Sequence, residues 1–425
     1  MKRMLYVLQQ SILDNDRNWL SADSNINMAS GFFRAWINHD DMEGYEVDVM
    51  IAPIVTFGDI VDFTDVFPTH PRLSFIQTSM TRNAALNRMD FRSWQWSQII
   101  QNRHYDVIVT CVPEWVLGIK TTYDTLKMVP PKIVAQCFWL DTPMIGEPKQ
   151  PESVTLQYRQ AEGFALADLV VFTCQSTRNA WIQNAIKLLA PKPITEIMAK
   201  MTVWDFGYSE AEVKEMIGGG TERRLNDVVR IGFLNRMGSD GYTNASLFID
   251  ALRILKSDPD YANNFEVVFT NPSKRVDENW LEENVPNFVS FMDGKTLTRK
   301  EYFQFLYECD VTVHLFVKER YGGCALRESI AAGNYTVVAN CHEQQSLVAD
   351  GSLRVDVNPL TSDDIADTLR YAIDVVLERN MPAEYIDNAS DLQHDTVLNN
   401  YSRCSFEETT KAVLVDLAKL IDASS

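Results

Sequence analysis

Residues 309–348 read CDVTVHLFVKERYGGCALRESIAAGNYTVVANCHEQQSLV. The opening run, Val311 to Val317, is apolar and rich in β-branched residues, the composition of a strand buried on both faces. A glycine pair follows (Gly322, Gly323), then a helix-like stretch closed by Gly333, then a second β run from Tyr335 to Ala339. The order is strand, glycine loop, helix, strand. Glycine lets a backbone approach a ligand closely, and a helix N-terminus attracts phosphate oxygens. Glu328 is the only carboxylate of the short helix and lies about one and a half turns beyond the glycines, within reach of a ribose hydroxyl. On spacing alone, an ordinary helix-surface carboxylate accounts for Glu328 equally well.

The same alternation extends outward. Strands are expected at Met4–Leu8, Glu46–Ala52, Tyr105–Thr110, Lys132–Phe138 and Asp168–Thr173, with helices at Asn25–Ile37, Ser93–Gln101, Val154–Leu166 and Thr177–Leu189. The segment around Gly218–Gly220, within GGGTERRLND, breaks the pattern and reads as a linker. Strands then resume at Val228–Leu234, Phe265–Thr270 and Phe288–Phe291, with helices at Ala245–Leu255, Arg299–Glu308, Ile365–Leu377 and Glu408–Leu420. Repeated βα units imply parallel sheets covered by helices on both faces.

A chain of 425 residues exceeds one ordinary core, so two domains are expected. The fold class is α/β: two doubly wound, Rossmann-like parallel-sheet domains facing a cleft. Boundaries are placed at 1–205, a linker at 206–228, and 229–425, leaving open that the last helix packs back on the first domain. No run approaches the roughly 18–20 apolar residues of a membrane span. The opening MKRMLYVLQQ reads as a first strand, since Gln9 and Gln10 cut short any signal-like apolar run. Seven cysteines without a CxxC pair suit buried thiols in a reducing compartment, and no metal site is expected. A formal charge of −19 fits a soluble cytoplasmic protein and argues against unspecific polyanion binding, which needs clustered Lys and Arg.

The second half resembles the donor-binding domain of GT-B glycosyltransferases, in particular the retaining family 4 enzymes. Their signature, E-x-F-G-x-x-x-x-E followed by small residues and glycine, aligns with Arg320 to Glu328 and then SIAAG. Glu328 matches the second glutamate and Gly323 the loop glycine; Arg320 stands at the first glutamate, with Glu319 one place earlier. The resemblance implies that Gly322, Gly323 and Glu328 hold a nucleotide-diphosphate sugar, most readily a UDP-sugar, with no tightly bound cofactor. It also implies an Arg and a Lys that grip the diphosphate after the domain's first strand. Arg236 matches the former, but Asp240 stands near the latter, so Lys274, Lys318 or Arg320 must compensate. In the first half the likeness is architectural, apart from GFALADLVVFTCQSTRNAW, which is similar to a passage of that family.

The implied reaction moves a sugar to an acceptor hydroxyl with retention, the site residues being Asp141, Arg236, Glu319 and Arg320. Asp141, before Pro143, serves equally as a turn cap; Glu114 is a weaker candidate of the same kind, and His342 is the histidine nearest the donor loop. A carbohydrate or small molecule is the expected acceptor. A hydroxymethylated DNA base is the alternative, resting on Arg82, Arg88, Arg92 and Arg103 beside Trp94, Trp96 and Trp115. The departures at Arg320 and Asp240 also leave room for a non-catalytic sugar-nucleotide-binding protein.

Overall fold

The computed structural model describes residues 2–8, 24–37, 44–51, 55–56, 59–60, 67–78, 88–137, 140, 151–204, 216–217, 228–234, 243–270, 278–292, 297–317, 323–341, 344–348, 350–379 and 406–422. The chain divides into two units, Met1–Phe206 with Phe406–Ser425, and Gly207–Ser405.

The first unit is built on a parallel sheet of seven strands. They are β1 (Lys2–Val7), β2 (Tyr45–Ile51), β5 (Leu73–Gln77), β6 (Val107–Thr110), β7 (Lys132–Cys137), β8 (Leu169–Phe172) and β9 (Met201–Val203). Their order is β5-β2-β1-β6-β7-β8-β9; β3 (Val55–Thr56) and β4 (Asp59–Ile60) form a separate short hairpin. The helices are α1 (Ser24–Ile37), α2 (Ser93–Asn102), α3 (Val116–Thr125), α4 (Pro151–Leu166), α5 (Gln175–Ala185) and α6 (Pro191–Met198). Alternate strand residues explain the two-sided burial. Leu5, Ile108, Ile133, Ala135, Val170 and Phe172 share a core with Trp96, Ile119, Phe164 and Trp181 of the helices. On the opposite face Tyr6 packs against Phe32 and Phe33 of α1.

The second unit repeats the plan with six strands. They are β10 (Val229–Phe233), β11 (Phe265–Phe269), β12 (Val289–Phe291), β13 (Val311–His314), β14 (Tyr335–Ala339) and β15 (Arg354–Val355), ordered β12-β11-β10-β13-β14-β15. The helices are α7 (Ala245–Ser257), α8 (Glu278–Asn284), α9 (Arg299–Glu308), α10 (Cys324–Ala331), α11 (Gln344–Leu347) and α12 (Ser362–Arg379). Val229, Ile231, Phe233, Val267, Val311, Val313 and Val337 share one core with Phe248 and Leu252 of α7 and Ile365 and Leu369 of α12. Met216 and Ile217, inside the stretch read as a linker, pack against Phe303, Leu306, Ala331 and Ala332 of this unit. The last helix, α13 (Phe406–Asp422), returns to the first unit, where Asp422 meets Lys2 at 2.6 Å.

In both sheets the chain starts in the middle, runs to one edge, then crosses back to build the other side. The crossing falls between β1 and β6 in the first unit and between β10 and β13 in the second. Ligands of open α/β sheets bind beyond the carboxyl ends of strands at that point. The strand quoted at the outset, β13, is therefore at the switch point of its sheet.

Two expectations need correction. The long helix expected over Thr177–Leu189 stops at Ala185, and Pro191 opens the separate helix α6, where a proline is pre-set for the first turn. The strand expected to reach Val317 ends at His314. No described helix is long and apolar enough to cross a membrane.

Candidate functional site

From β13 the chain reaches α10 through Gly323, whose φ of 72° and ψ of 154° lie in a region open essentially to glycine alone. The helix closes on Gly333, at φ 82°, with Gly333 N–H bonded to the Ile330 carbonyl and Asn334 N–H to that of Ser329. Asn334 then donates its side-chain amide to the carbonyls of Leu306 (2.8 Å) and Cys309 (2.5 Å), fastening the end of α9 to the end of α10.

Glu328 sits in the second turn of α10 and is only 4% exposed. It is not a helix-surface carboxylate. Arg299, the first residue of α9, donates from Nη1 to Glu328 Oε1 at 2.5 Å. Desolvation, with the Glu328 charge added, pushes the Tyr302 phenol well above its ordinary pKa of 10. The Arg299 guanidinium also lies 4.7 Å from the Phe303 ring centroid. Helix α9 is anchored by a capping box, in which the Thr298 hydroxyl accepts from Glu301 N–H and the Glu301 carboxylate accepts from Thr298 N–H.

The next residue of α10, Ser329, meets His314, which is fully buried at the end of β13. Ser329 spends its hydroxyl proton on the Ala325 carbonyl (2.7 Å), so it accepts from His314 Nε2–H at 3.1 Å. Burial lowers the imidazole from 6.5 to about 3 and keeps it neutral.

Of the residues expected at the donor site, Gly323 and Glu328 are brought to one helix. Asp141, Arg236, Lys274, Lys318, Glu319, Arg320 and Gly322, as well as His342, lie outside the described residues. Sequence reasoning missed Arg299, Tyr302 and His314. The signal for the first two was present: Arg299, Tyr302 and Phe303 recur at helical spacing directly ahead of the quoted stretch.

The first unit treats its candidates differently. Glu114 lies in a short 3₁₀ turn, Pro113–Trp115, just past β6. Its carboxylate accepts from Arg88 Nε at 3.1 Å, from Arg88 Nη2, and from Gln160 Nε2 at 3.4 Å, and it is sealed from water. Arg88 is therefore spent inside the core. Arg92 is bound to Asp90 (2.8 Å) and Arg103 to Asp48 (2.5 Å), while Arg82 lies outside the described residues. Trp96 and Trp115 are buried in the core and cannot stack on an extruded base; Trp94 alone of the three is exposed, at 58%. Arg88, Trp96 and Trp115 are thus unavailable to a DNA acceptor. Deeper in the sheet, Tyr6 hydroxyl donates to Gln136 Oε1 at 2.8 Å beside Cys111.

No protein-family model and no curated protein sequence matches the chain. Solved structures do. An α,α-trehalose 6-phosphate synthase from Burkholderia multivorans superposes with a TM-score of 0.67 at 13% identity, covering 100% of both chains. A glycosyltransferase from Rickettsia africae ESF-5 gives 0.63 at 14% identity, covering 100% of this chain and 99% of its own. HepE from Anabaena, solved in complex with UDP, gives 0.60 at 13% identity over 99% of this chain and 100% of its own. The fold is that of the GT-B glycosyltransferases. The likeness spans both units from end to end, so the resemblance read from residues 229–425 extends, as a fold, to the half whose sequence carried it only by architecture.

Proposed function

We propose that the protein is a glycosyltransferase that takes a sugar from a nucleoside diphosphate, most readily UDP, and delivers it to an acceptor hydroxyl with retention. The second unit holds the donor and the first the acceptor. The observation that carries this reading is the conjunction at β13: a switch-point strand, a glycine in a conformation reserved to glycine, a helix N-terminus, and one buried carboxylate a turn further on. Backbone N–H groups at the start of α10 suit the diphosphate, and Glu328 suits the ribose. The structural likeness to an enzyme solved with UDP-2-fluoro glucose, with a TM-score of 0.64 at 14% identity over 98% of this chain and 99% of its own, supports the same donor class.

In the reaction the acceptor oxygen forms a bond to the anomeric carbon on the face that the leaving group vacates. The carbon–oxygen bond to the diphosphate breaks, and the departing phosphate oxygen receives the acceptor's proton. Such a front-face route needs no protein nucleophile. It needs positive charge and N–H donors at the developing phosphate charge, for which Arg236, Lys274, Lys318 and Arg320 are the assigned groups, with Glu319 assigned to the hydroxyls of the sugar. Asp141 is assigned to the acceptor side. A carbohydrate or small molecule is the acceptor, in keeping with a structural neighbour solved in complex with glucose-6-phosphate, at a TM-score of 0.64 and 12% identity over 98% of this chain and all of its own.

The test is a thermal-shift panel of nucleotide sugars followed by transfer assays on sugars and sugar phosphates. Stabilisation by a UDP-sugar with release of UDP in the presence of an acceptor is the expected result. Stabilisation without turnover on any acceptor would assign the protein to sugar-nucleotide binding alone. No stabilisation by any nucleotide sugar would overturn both.

A further inference from the structure

The two most exposed large apolar side chains among the described residues, Val129 at 80% and Ile186 at 69%, stand on one edge of the first unit. Helices α3, α4 and α5 cover the same face of its parallel sheet, and each returns the chain from the carboxyl end of one strand to the amino end of the next. Val129 lies in the turn from α3 to β7. Ile186 lies in the turn from α5 to α6, which leads on into β9. Both turns therefore sit at the amino edge of the sheet, opposite the end at which open α/β sheets bind small ligands.

Both turns are built to present these side chains. Helix α3 ends in a Schellman motif, with Lys127 N–H bonded to the Asp124 carbonyl (3.1 Å) and Met128 N–H to that of Tyr123 (3.0 Å). Lys127 takes its left-handed position, at φ 59°, where glycine is the ordinary residue. Met128 turns in to the core, and Val129 turns out ahead of Pro130 and Pro131, whose fixed φ angles stiffen the tip. After α5 the pattern recurs. The N–H groups of Leu188 and Leu189 both bond the Ala185 carbonyl (2.9 Å), and Leu189 packs inward. Ile186 is left outside beside Lys187, with Pro191 and Lys192 following. Each tip is an exposed apolar side chain held between lysine and proline.

Charge narrows the choice of partner. Lys127, Lys132, Lys187, Lys192 and Lys200 belong to the connections that enter β7, β8 and β9, against Asp124, Asp168 and Glu196. Lys132 meets Asp168 at 3.5 Å, Lys192 meets Glu196 at 3.9 Å, and Lys200 caps the carbonyls of Ala165 and Ala167. Lys187 donates to the Asn184 side chain (2.7 Å), and among the described residues neither it nor Lys127 is in an ion pair. In a chain of net charge −19 this edge is locally basic. A stable protein partner needs one contiguous face of about 800 Å². Here the α4–β8 connection separates two narrow tips, and a fluid headgroup layer can close around each of them.

We propose that this edge of the first unit docks on an anionic lipid bilayer, with Val129 and Ile186 entering the boundary between headgroups and acyl chains and Lys127, Lys187 and Lys192 facing lipid phosphates. Apolar side chains flanked by lysine bind such a boundary through buried area and attraction to anionic lipid together. The carboxyl ends of the strands then point away from the bilayer, so this unit would meet its acceptor on the aqueous side. The proposal does not depend on the donor-site reading.

The test is flotation of the full-length protein with vesicles of phosphatidylcholine alone or mixed with phosphatidylglycerol, with a thermal melt and a UDP titration on every variant. The wild type is expected to float with the anionic vesicles only and to be released at high salt. Lys127→Gly removes a charge while supplying the residue that the Schellman position favours. Its melting temperature should hold or rise while partitioning falls about fivefold. Lys187→Gln should lower partitioning by a similar factor, and Val129→Ser combined with Ile186→Ser by about tenfold or more. None of these changes should alter the response to UDP, so failure of this edge and failure of the donor site are read separately. A wild type that does not float with anionic vesicles overturns the proposal, as does flotation that survives loss of both lysines. Flotation untouched by the two serines overturns it too, because charge alone would then hold the protein. Retention on a polyglutamate resin without flotation would assign the edge to an acidic polypeptide instead.

Discussion

Each half of the chain buries a glutamate against an arginine soon after the strand at its sheet's switch point, and the two pairs are built for different ends. In the first unit Glu114 is shut in with Arg88 and Gln160 among Trp115, Trp96 and Phe91, and α4 closes on it so tightly that a methyl group on Gly163 would run into the Pro113 carbonyl oxygen. In the second unit Glu328 is bonded to Arg299, but it shares its helix with an N-terminus that opens on Gly323, and Arg299 keeps some contact with solvent. The same two functional groups thus make a sealed structural rivet in one place and, in the other, a pair beside the proposed donor site. The surroundings decide which, not the residue types.

The largest expected effect separates them. Removing one partner of a buried ion pair strands the other charge, which costs about 3–5 kcal/mol. Arg88→Ala is expected to lose stability on that scale in urea denaturation, with UDP affinity of the remaining folded protein unchanged. A loss below about 1 kcal/mol would mean that water reaches Glu114 after all, and the contrast between the two pairs would collapse. By the same reasoning Glu328→Ala would unsettle Arg299 as well as any ligand, so Glu328→Gln is the cleaner probe of binding.

The backbone supplies the next effect. Gly323 has no counterpart near Glu114, and an alanine forced to φ 72° and ψ 154° costs on the order of 1–3 kcal/mol. Gly323→Ala should lower the melting temperature moderately and weaken UDP binding as the start of α10 shifts. Unchanged UDP affinity alongside the stability loss would detach the loop from the ligand.

How much of this was legible beforehand follows from which forces act locally. The buried strands β6, β8, β10, β13 and β14 announce themselves because both faces are covered and the runs are mostly apolar and β-branched. Gly333 as a helix stop was equally plain, since a left-handed C-terminal residue is a local demand. Helix α3, VLGIKTTYDT, was missed because its three threonines and Gly118 are weak helix formers; Gly118 is there because the Phe91 ring occupies the space of a side chain. The partners of the arginine segment stayed hidden for the opposite reason. Arg88 and Arg103 find carboxylates 26 and 55 residues away, and pairings of that range leave no trace in spacing. Glu328 stood out in the sequence, but its partner Arg299, 29 residues earlier, did not.

The third prediction concerns pH and has no parallel in the first unit's pair. His314 is neutral in the fold, lowered from 6.5 to about 3, so below pH 6.5 the unfolded chain binds a proton that the native one does not. Stability from this group is complete above pH 6.5 and falls by about 1.4 kcal/mol for each pH unit below it. Between pH 7.5 and 5.0 the wild type should lose about 2 kcal/mol more than His314→Gln in urea titrations. Equal losses would show that water or a compensating charge reaches the imidazole, and the packing between β13 and α10 would be looser than its neighbours imply.

The smallest expected effect bears most directly on how far the second pair depends on its helix. Thr298→Ala removes the side-chain acceptor of the capping box, which costs about 1 kcal/mol. That loss is close to the limit of a denaturation measurement, but its consequence need not be. Thr298 fixes the first turn of α9, where Arg299 stands. If Glu328 depends on that turn for its place beside the donor, fraying it should weaken UDP binding even though the fold survives. If instead Arg299 and Glu328 form a self-sufficient pair like Arg88 and Glu114, Thr298→Ala should cost stability and leave UDP affinity where it was.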